Sequence, residues 1–225
     1  MTISGHSSGH QDSGFLPVLV AAIVMFAVSP AMADSDLGVA ALNLLAFAVL
    51  LGALRAAGVA GRWLTAAAGL GTFAGLLAVL AAFDLADLGG PRIVLTYGLW
   101  IVAPLAVLVR VTRDKSVTMN TIYGAITAYL LFGMLLGFQY LAIEEISSGS
   151  FAIPGEPKDD NTSELLYYSL VTQTTLGYGD ITPVRAIPRT LSVIQAVIGQ
   201  MYLVVLMARF VALQIAHAND VEKAS

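Results

Sequence analysis

Between residues 15 and 31 the chain carries no charged side chain, and stretches of the same kind return along most of its length. A run of about 18 such residues, wound at about 1.5 Å per residue, crosses the roughly 30 Å hydrocarbon layer of a bilayer. Six spans can be marked, at about residues 15–31, 37–54, 63–83, 93–109, 121–143 and 187–211. The apolar share of 57% exceeds the roughly 45–50% of soluble domains. The expected fold class is therefore an all-α polytopic membrane protein, not one soluble core. There is no cysteine, which excludes disulfides, thiolate metal sites and a cysteine nucleophile. No nucleophile–base pair or metal-ligand cluster stands out, so the sequence offers no enzyme. His6 and His10 are four apart, but their Gly/Ser-rich surroundings read as a solvated tail, and His217 lies near the other terminus.

Charge sets an orientation. With residues 147–186 placed outside, seven basic residues fall inside (Arg55, Arg62, Arg110, Arg113, Lys115, Arg209, Lys223) and four outside (Arg92, Lys158, Arg185, Arg189). That follows the positive-inside rule and puts the C-terminus in the cytoplasm. Most acids fall outside, where they would raise the local cation concentration or simply solvate loops. Ala31-Met32-Ala33 has the small-x-small form of a signal-peptide cleavage site, yet no Lys or Arg precedes the first span. A retained helix and a cleaved signal both fit, and both leave the later topology unchanged. Gly71 and Gly75 have the four-residue spacing of a helix-packing face.

Residues 147–186 break the pattern. A polar stretch, "SSGSFAIPGEPKDDNTS", leads into a short helix-like segment, "ELLYYSLVTQT", which overlaps "TTLGYGD" at residues 174–180. The short segment cannot span a bilayer and reads as a re-entrant helix, entering and leaving on one side. Asn161 or Ser163 can cap it, and Asn161 with Glu164 has capping-box spacing; "NTS" is also a glycosylation sequon. Its C-terminal dipole end, near Thr174, favours a cation. A dehydrated cation needs oxygen ligands on several sides, which four copies of one loop around an axis can supply. Carbonyls point inward only if alternate residues leave the ordinary dihedral regions, and Gly177 and Gly179 do so without steric cost. Tyr178 would face away and hold the diameter, while Thr175 offers a carbonyl and a hydroxyl.

Here the chain resembles the potassium channel family, whose signature Thr-Val-Gly-Tyr-Gly-Asp is matched by Thr175-Leu176-Gly177-Tyr178-Gly179-Asp180, with leucine for valine. The resemblance covers about residues 120–215. It implies a selectivity filter at residues 175–179, with K⁺ coordinated by Thr175, Leu176, Gly177 and Tyr178. It also implies filter support from Tyr167, Tyr168, Val171, Thr174 and Asp180, the two tyrosines forming a cuff around Tyr178. Val171 stands where one branch of the family has a glutamate bonded to the aspartate, which leaves the partner of Asp180 open. Gly199, in the last span, is either a gating hinge or a point of close packing. The resemblance further implies a homotetramer in contact with lipid, K⁺ as the permeant ion, no cofactor, no nucleic acid, and a multi-pass place in the cell membrane.

The expected organisation is a polar tail (1–14), a four-helix transmembrane region (15–116), a pore domain (117–217) and a short cytoplasmic tail (218–225). The pore domain would carry its re-entrant helix and filter loop between the last two of six spans. A transporter subunit would carry several filter-like repeats, and only one is present; a non-conducting scaffold subunit is the other alternative. The tail after His217 is too short for a ligand-sensing domain. A voltage sensor needs arginines every third residue inside the membrane. The fourth span has Arg92 and Arg110 only at its ends, with Arg113 and Lys115 beyond. Each charge crossing the whole field contributes about 2.3 kcal/mol per 100 mV, so the expected conductance–voltage curve in symmetrical K⁺ is shallow. A slope needing more than about 4 charges per tetramer would show that the first four helices sense voltage.

Overall fold

A computed structural model describes residues 14–32, 36–59, 61–66, 69, 99–114, 117–155 and 161–224. Helices α1 (Phe15–Met32), α2 (Asp36–Ala56), α3 (Val102–Arg113, entered through a 3₁₀ turn at Leu99–Ile101), α4 (Met119–Ile146), α5 (Thr162–Gln173) and α6 (Ala186–Ala224) organise these residues, and residues 61–66 are helical as well. A two-stranded antiparallel pair, β1 (Phe151–Ala152) and β2 (Thr182–Pro183), brackets α5. Among the described residues, three helices are long and apolar enough to cross a membrane: α1, α4 and the Ala186–Ile215 part of α6. Leu44–Ala56, within α2, is a shorter apolar helix. Most of the expected third span, the start of the fourth, the Gly71/Gly75 pair, Arg92, Lys115, Lys158 and the tail with His6 and His10 lie outside the described residues.

Helix α4 is the centre of the fold because it presents small residues to each neighbour. Lipid supplies no hydrophobic drive between helices, so close packing and hydrogen bonds must hold them together. A Cβ on Gly124 would sit 2.7 Å from the Phe15 ring of α1 and 2.8 Å from Val111 of α3. One on Gly137 would sit 2.7 Å from the Leu166 side chain of α5 and 3.0 Å from its Cα. Phe15, Val111 and Leu166 are all buried at these contacts. The start of α1 is pinned to the start of α4, where the Phe15 amide donates to Asn120 Oδ1 at 2.8 Å.

The corner between α3 and α4 is built from capping chemistry. Thr118 Oγ1 accepts from the Thr121 amide (3.2 Å), and Thr121 Oγ1 accepts from the Thr118 amide (3.4 Å), a reciprocal capping box. Arg110 pairs with Asp114 at 3.5 Å. Arg209 of α6 donates to the Thr112 and Asp114 carbonyls at 2.6 and 2.8 Å. It thus satisfies acceptors that the end of α3 leaves without helical partners. On the opposite side, the Glu144 carboxylate accepts from the Gly149, Ser150 and Phe151 amides. That turns the chain into β1, which pairs Phe151 with Pro183 and Ala152 with Thr182. The bracket holds both ends of the segment containing α5 and the loop after it.

Candidate functional site

The loop after α5 is fastened from behind. The Thr175 amide donates to the Thr172 carbonyl (3.0 Å), and the Leu176 and Gly177 amides both donate to the Val171 carbonyl (3.0 and 3.4 Å). Thr174 closes the end of α5, its hydroxyl donating to the Leu170 carbonyl at 2.8 Å. The acceptors left over at a helix C-terminus are therefore used by the loop's own donors. Along the loop φ alternates in sign: it is positive at Thr175 (60°), Gly177 (59°) and Gly179 (78°), and not at Leu176 or Tyr178. Alternation of this kind gathers amides on one side of a strand and carbonyls on the other. Residues 174–180 are exposed. A loop of this kind can present carbonyl oxygens, the ligand type that suits a hard cation.

Thr175 is the strained member. It is the one non-glycine residue with positive φ among the described residues, and the left-handed region costs an L-residue about 1–2 kcal/mol. Its hydroxyl offsets part of that cost by donating to the Thr174 carbonyl at 2.6 Å. An added Cβ at Gly177 or Gly179 meets nothing within 4 Å, so glycine is required there by the backbone and not by space within the chain.

The expected supporting residues divide. Tyr167 donates its hydroxyl to Asp180 Oδ2 at 2.7 Å, and the Ile181 amide donates to Oδ1 at 3.0 Å. This answers what Asp180 pairs with beside an apolar Val171. Tyr168 turns into its own chain, edge-on to Tyr140 and Phe151, and bonds to Ser192. It is spent on the bracket around α5, while Tyr178 is 67% exposed. Asn161 makes no side-chain cap, and the Ser163 hydroxyl bonds to Glu164 Oε2 at 2.6 Å, so the expected Asn161–Glu164 box is not formed. Gly199 lies within continuous helix, and a Cβ there would meet the Gln173 carbonyl oxygen at 2.7 Å. Its observed use is close packing.

Behind the loop lies a polar network that the sequence reading passed over. Gln195 of α6 is fully buried; its Oε1 accepts from the Tyr140 hydroxyl at 2.7 Å. Its Nε2 donates to Ser169 Oγ (2.7 Å), the Ser169 carbonyl (3.1 Å) and Gln173 Oε1 (3.3 Å). Gln173 Nε2 donates to the Tyr129 carbonyl (2.7 Å), and the Tyr129 hydroxyl donates to the Gln173 carbonyl (3.2 Å). The usable signal was the glutamines in the helices that flank the loop, Gln173 and Gln195 among them, since an amide buried at membrane depth must find partners. Among the described residues, no group of His, Cys, Asp or Glu converges as a metal site.

Residues 124–214 match the family model described as "Ion channel". The matched stretch holds nearly all of α4, the bracketed α5 with its loop, and α6 as far as Gln214. The match supports an ion channel, and the candidate spans a multi-pass membrane protein. No curated protein and no solved structure matches the chain.

The Tyr167 hydroxyl bond is the main reason that the Asp180 carboxyl is held below its ordinary value of 3.8, the Ile181 amide adding to it. A depressed carboxyl stabilises the fold fully above its unfolded value and loses that contribution as pH falls through the folded one. The Tyr167–Asp180 bond is thus intact at neutral pH and weakens as pH falls through the depressed folded value. Tyr167→Phe is expected to move the titration of the Asp180 carboxyl carbon, followed by NMR, upward. Identical titration curves in the two proteins would mean that the bond does not form.

Proposed function

We propose that the chain is one subunit of a homotetrameric potassium channel, with residues 175–179 as its selectivity filter. The observation that carries this is the alternation of φ along the loop while its first amides are tied to α5. One loop offers oxygens to one side of an ion; four around an axis replace a hydration shell. Thr175, Leu176, Gly177 and Tyr178 then supply the K⁺-coordinating carbonyls, Thr175 adds its hydroxyl, and Gly179 ends the row. Asp180, held by Tyr167, fixes the outer end.

The assembly has a physical motive. Only 17% of the apolar window of α6 is buried, against 67% for α4, and Val193, Val197, Met201, Val204 and Val205 stand exposed. A closed fourfold ring covers such a face with the same face of neighbouring copies and with lipid. It also gives Tyr178 an environment in the adjacent subunit. With the loop facing outward, the C-terminal end of α6 lies in the cytoplasm, consistent with the excess of basic residues on that side.

The test is the reversal potential of the purified protein in lipid bilayers under bi-ionic K⁺/Na⁺ conditions, which should favour K⁺ strongly. Gly177→Ala should abolish selective conduction while leaving membrane insertion intact. Alanine at φ 59° costs about 1–2 kcal/mol in each subunit, and fourfold symmetry repeats the disturbance at one ring of carbonyls. Equal K⁺ and Na⁺ permeability in wild-type tetramers, or wild-type-like selectivity in Gly177→Ala, would contradict the proposal.

A further inference from the structure

Two of the glutamines in or beside the site, Gln173 and Gln195, are buried within the network behind the loop. Gln200 is different: it is exposed, and its Nε2 donates to Thr175 Oγ1 at 3.3 Å. We infer that Gln200 is a positioning residue that sets the strength of the innermost cation site, by competing with the ion for the Thr175 hydroxyl oxygen. The inference rests on reading residues 175–179 as a filter.

A hydroxyl has one hydrogen and two lone pairs. The hydrogen of Thr175 is committed to the Thr174 carbonyl at 2.6 Å. Of the two lone pairs, one accepts from Gln200, which leaves one for an ion. The amide N–H group is also the positive end of its dipole, so it opposes a cation held at the same oxygen. Both effects weaken the site, and conduction requires sites weak enough to release the ion.

The reach of Gln200 depends on the residue before it. The absent side chain of Gly199 lets α6 press against the Gln173 carbonyl, where a Cβ would be only 2.7 Å away. That approach brings the next residue level with Thr175. The contact lies within one chain, so each subunit of a tetramer would carry it.

The probe is Ba²⁺, a divalent cation close to K⁺ in radius, titrated calorimetrically into the purified full-length protein in Na⁺. Gln200→Met, nearly the same shape without a donor, is expected to tighten Ba²⁺ binding by about three- to tenfold, the fold-change equivalent to one ordinary hydrogen bond. The same change should be nearly silent in a Thr175→Ala background and should reappear with Thr175→Ser, which keeps the hydroxyl. A merely structural role for Gln200 would not follow the hydroxyl in this way. Unchanged or weaker Ba²⁺ binding in Gln200→Met, or an equal response with Thr175→Ala, overturns the inference alone. A wild-type tetramer that binds neither Ba²⁺ nor K⁺ overturns the filter reading and this inference together.

Discussion

One side chain ties the second half of the molecule together. Gln195 reaches from α6 to the Tyr140 hydroxyl of α4 and to Ser169 and Gln173 of α5. Water is not available at membrane depth to satisfy a buried amide, so all its bonding capacity must be met by protein. A bond of this type contributes on the order of 0.6–2 kcal/mol in a membrane, which is modest. Leaving its partners unsatisfied costs about 1–3 kcal/mol for each buried group. The network therefore acts as a constraint on register: α4, α5 and α6 must meet at one relative position or several polar groups are stranded at once. Ser169 extends the constraint by donating to the Gly133 carbonyl of α4 at 2.7 Å.

That register decides the geometry of the loop. The Val171 and Thr172 carbonyls receive the loop amides, and they sit on the helix that Gln195 holds. If α5 slid along α4, the loop tied to its end would be carried with it, away from the position that the β1–β2 pair sets for its exit. The strain at Thr175 is sustained in the same way, because a positive φ in a β-branched residue persists only where surrounding structure over-determines it. At the far end, Tyr167–Asp180 and the β1–β2 pair hold the exit of the loop. Residues 175–179 are thus stretched between two anchorages built on different chemistry, a glutamine network on one side and a carboxylate pair with a short sheet on the other.

Much of this was legible from residue types, and the limits have physical causes. Uncharged runs located α1, α4 and α6, because transmembrane helices must satisfy their backbone internally and their side chains by lipid. The helices extend past the apolar runs, to Met119 and Ile146 in α4, since intrahelical hydrogen bonds persist beyond the hydrocarbon edge. The short segment before the loop was recognisable, and so was the need for glycine at 177 and 179. Partner choice was not legible. Spacing suggested Asn161 for Glu164, but adjacent Ser163 reaches that carboxylate first. Nothing local indicates that Tyr167 finds Asp180 while Tyr168 finds Ser192, because both bonds join separate segments. The positive φ of Thr175 is invisible to propensity, which assigns that region to glycine.

The central claim is that the alternating backbone of residues 175–179 binds dehydrated monovalent cations on a fourfold axis. The most direct measurement is a structure of the tetramer prepared in Tl⁺ in place of K⁺, with anomalous density identifying the ion. The account predicts on-axis peaks level with the carbonyls of Thr175, Leu176, Gly177 and Tyr178. A well-ordered tetramer with no peak between those carbonyls, or a loop whose carbonyls turn away from the axis, would contradict it.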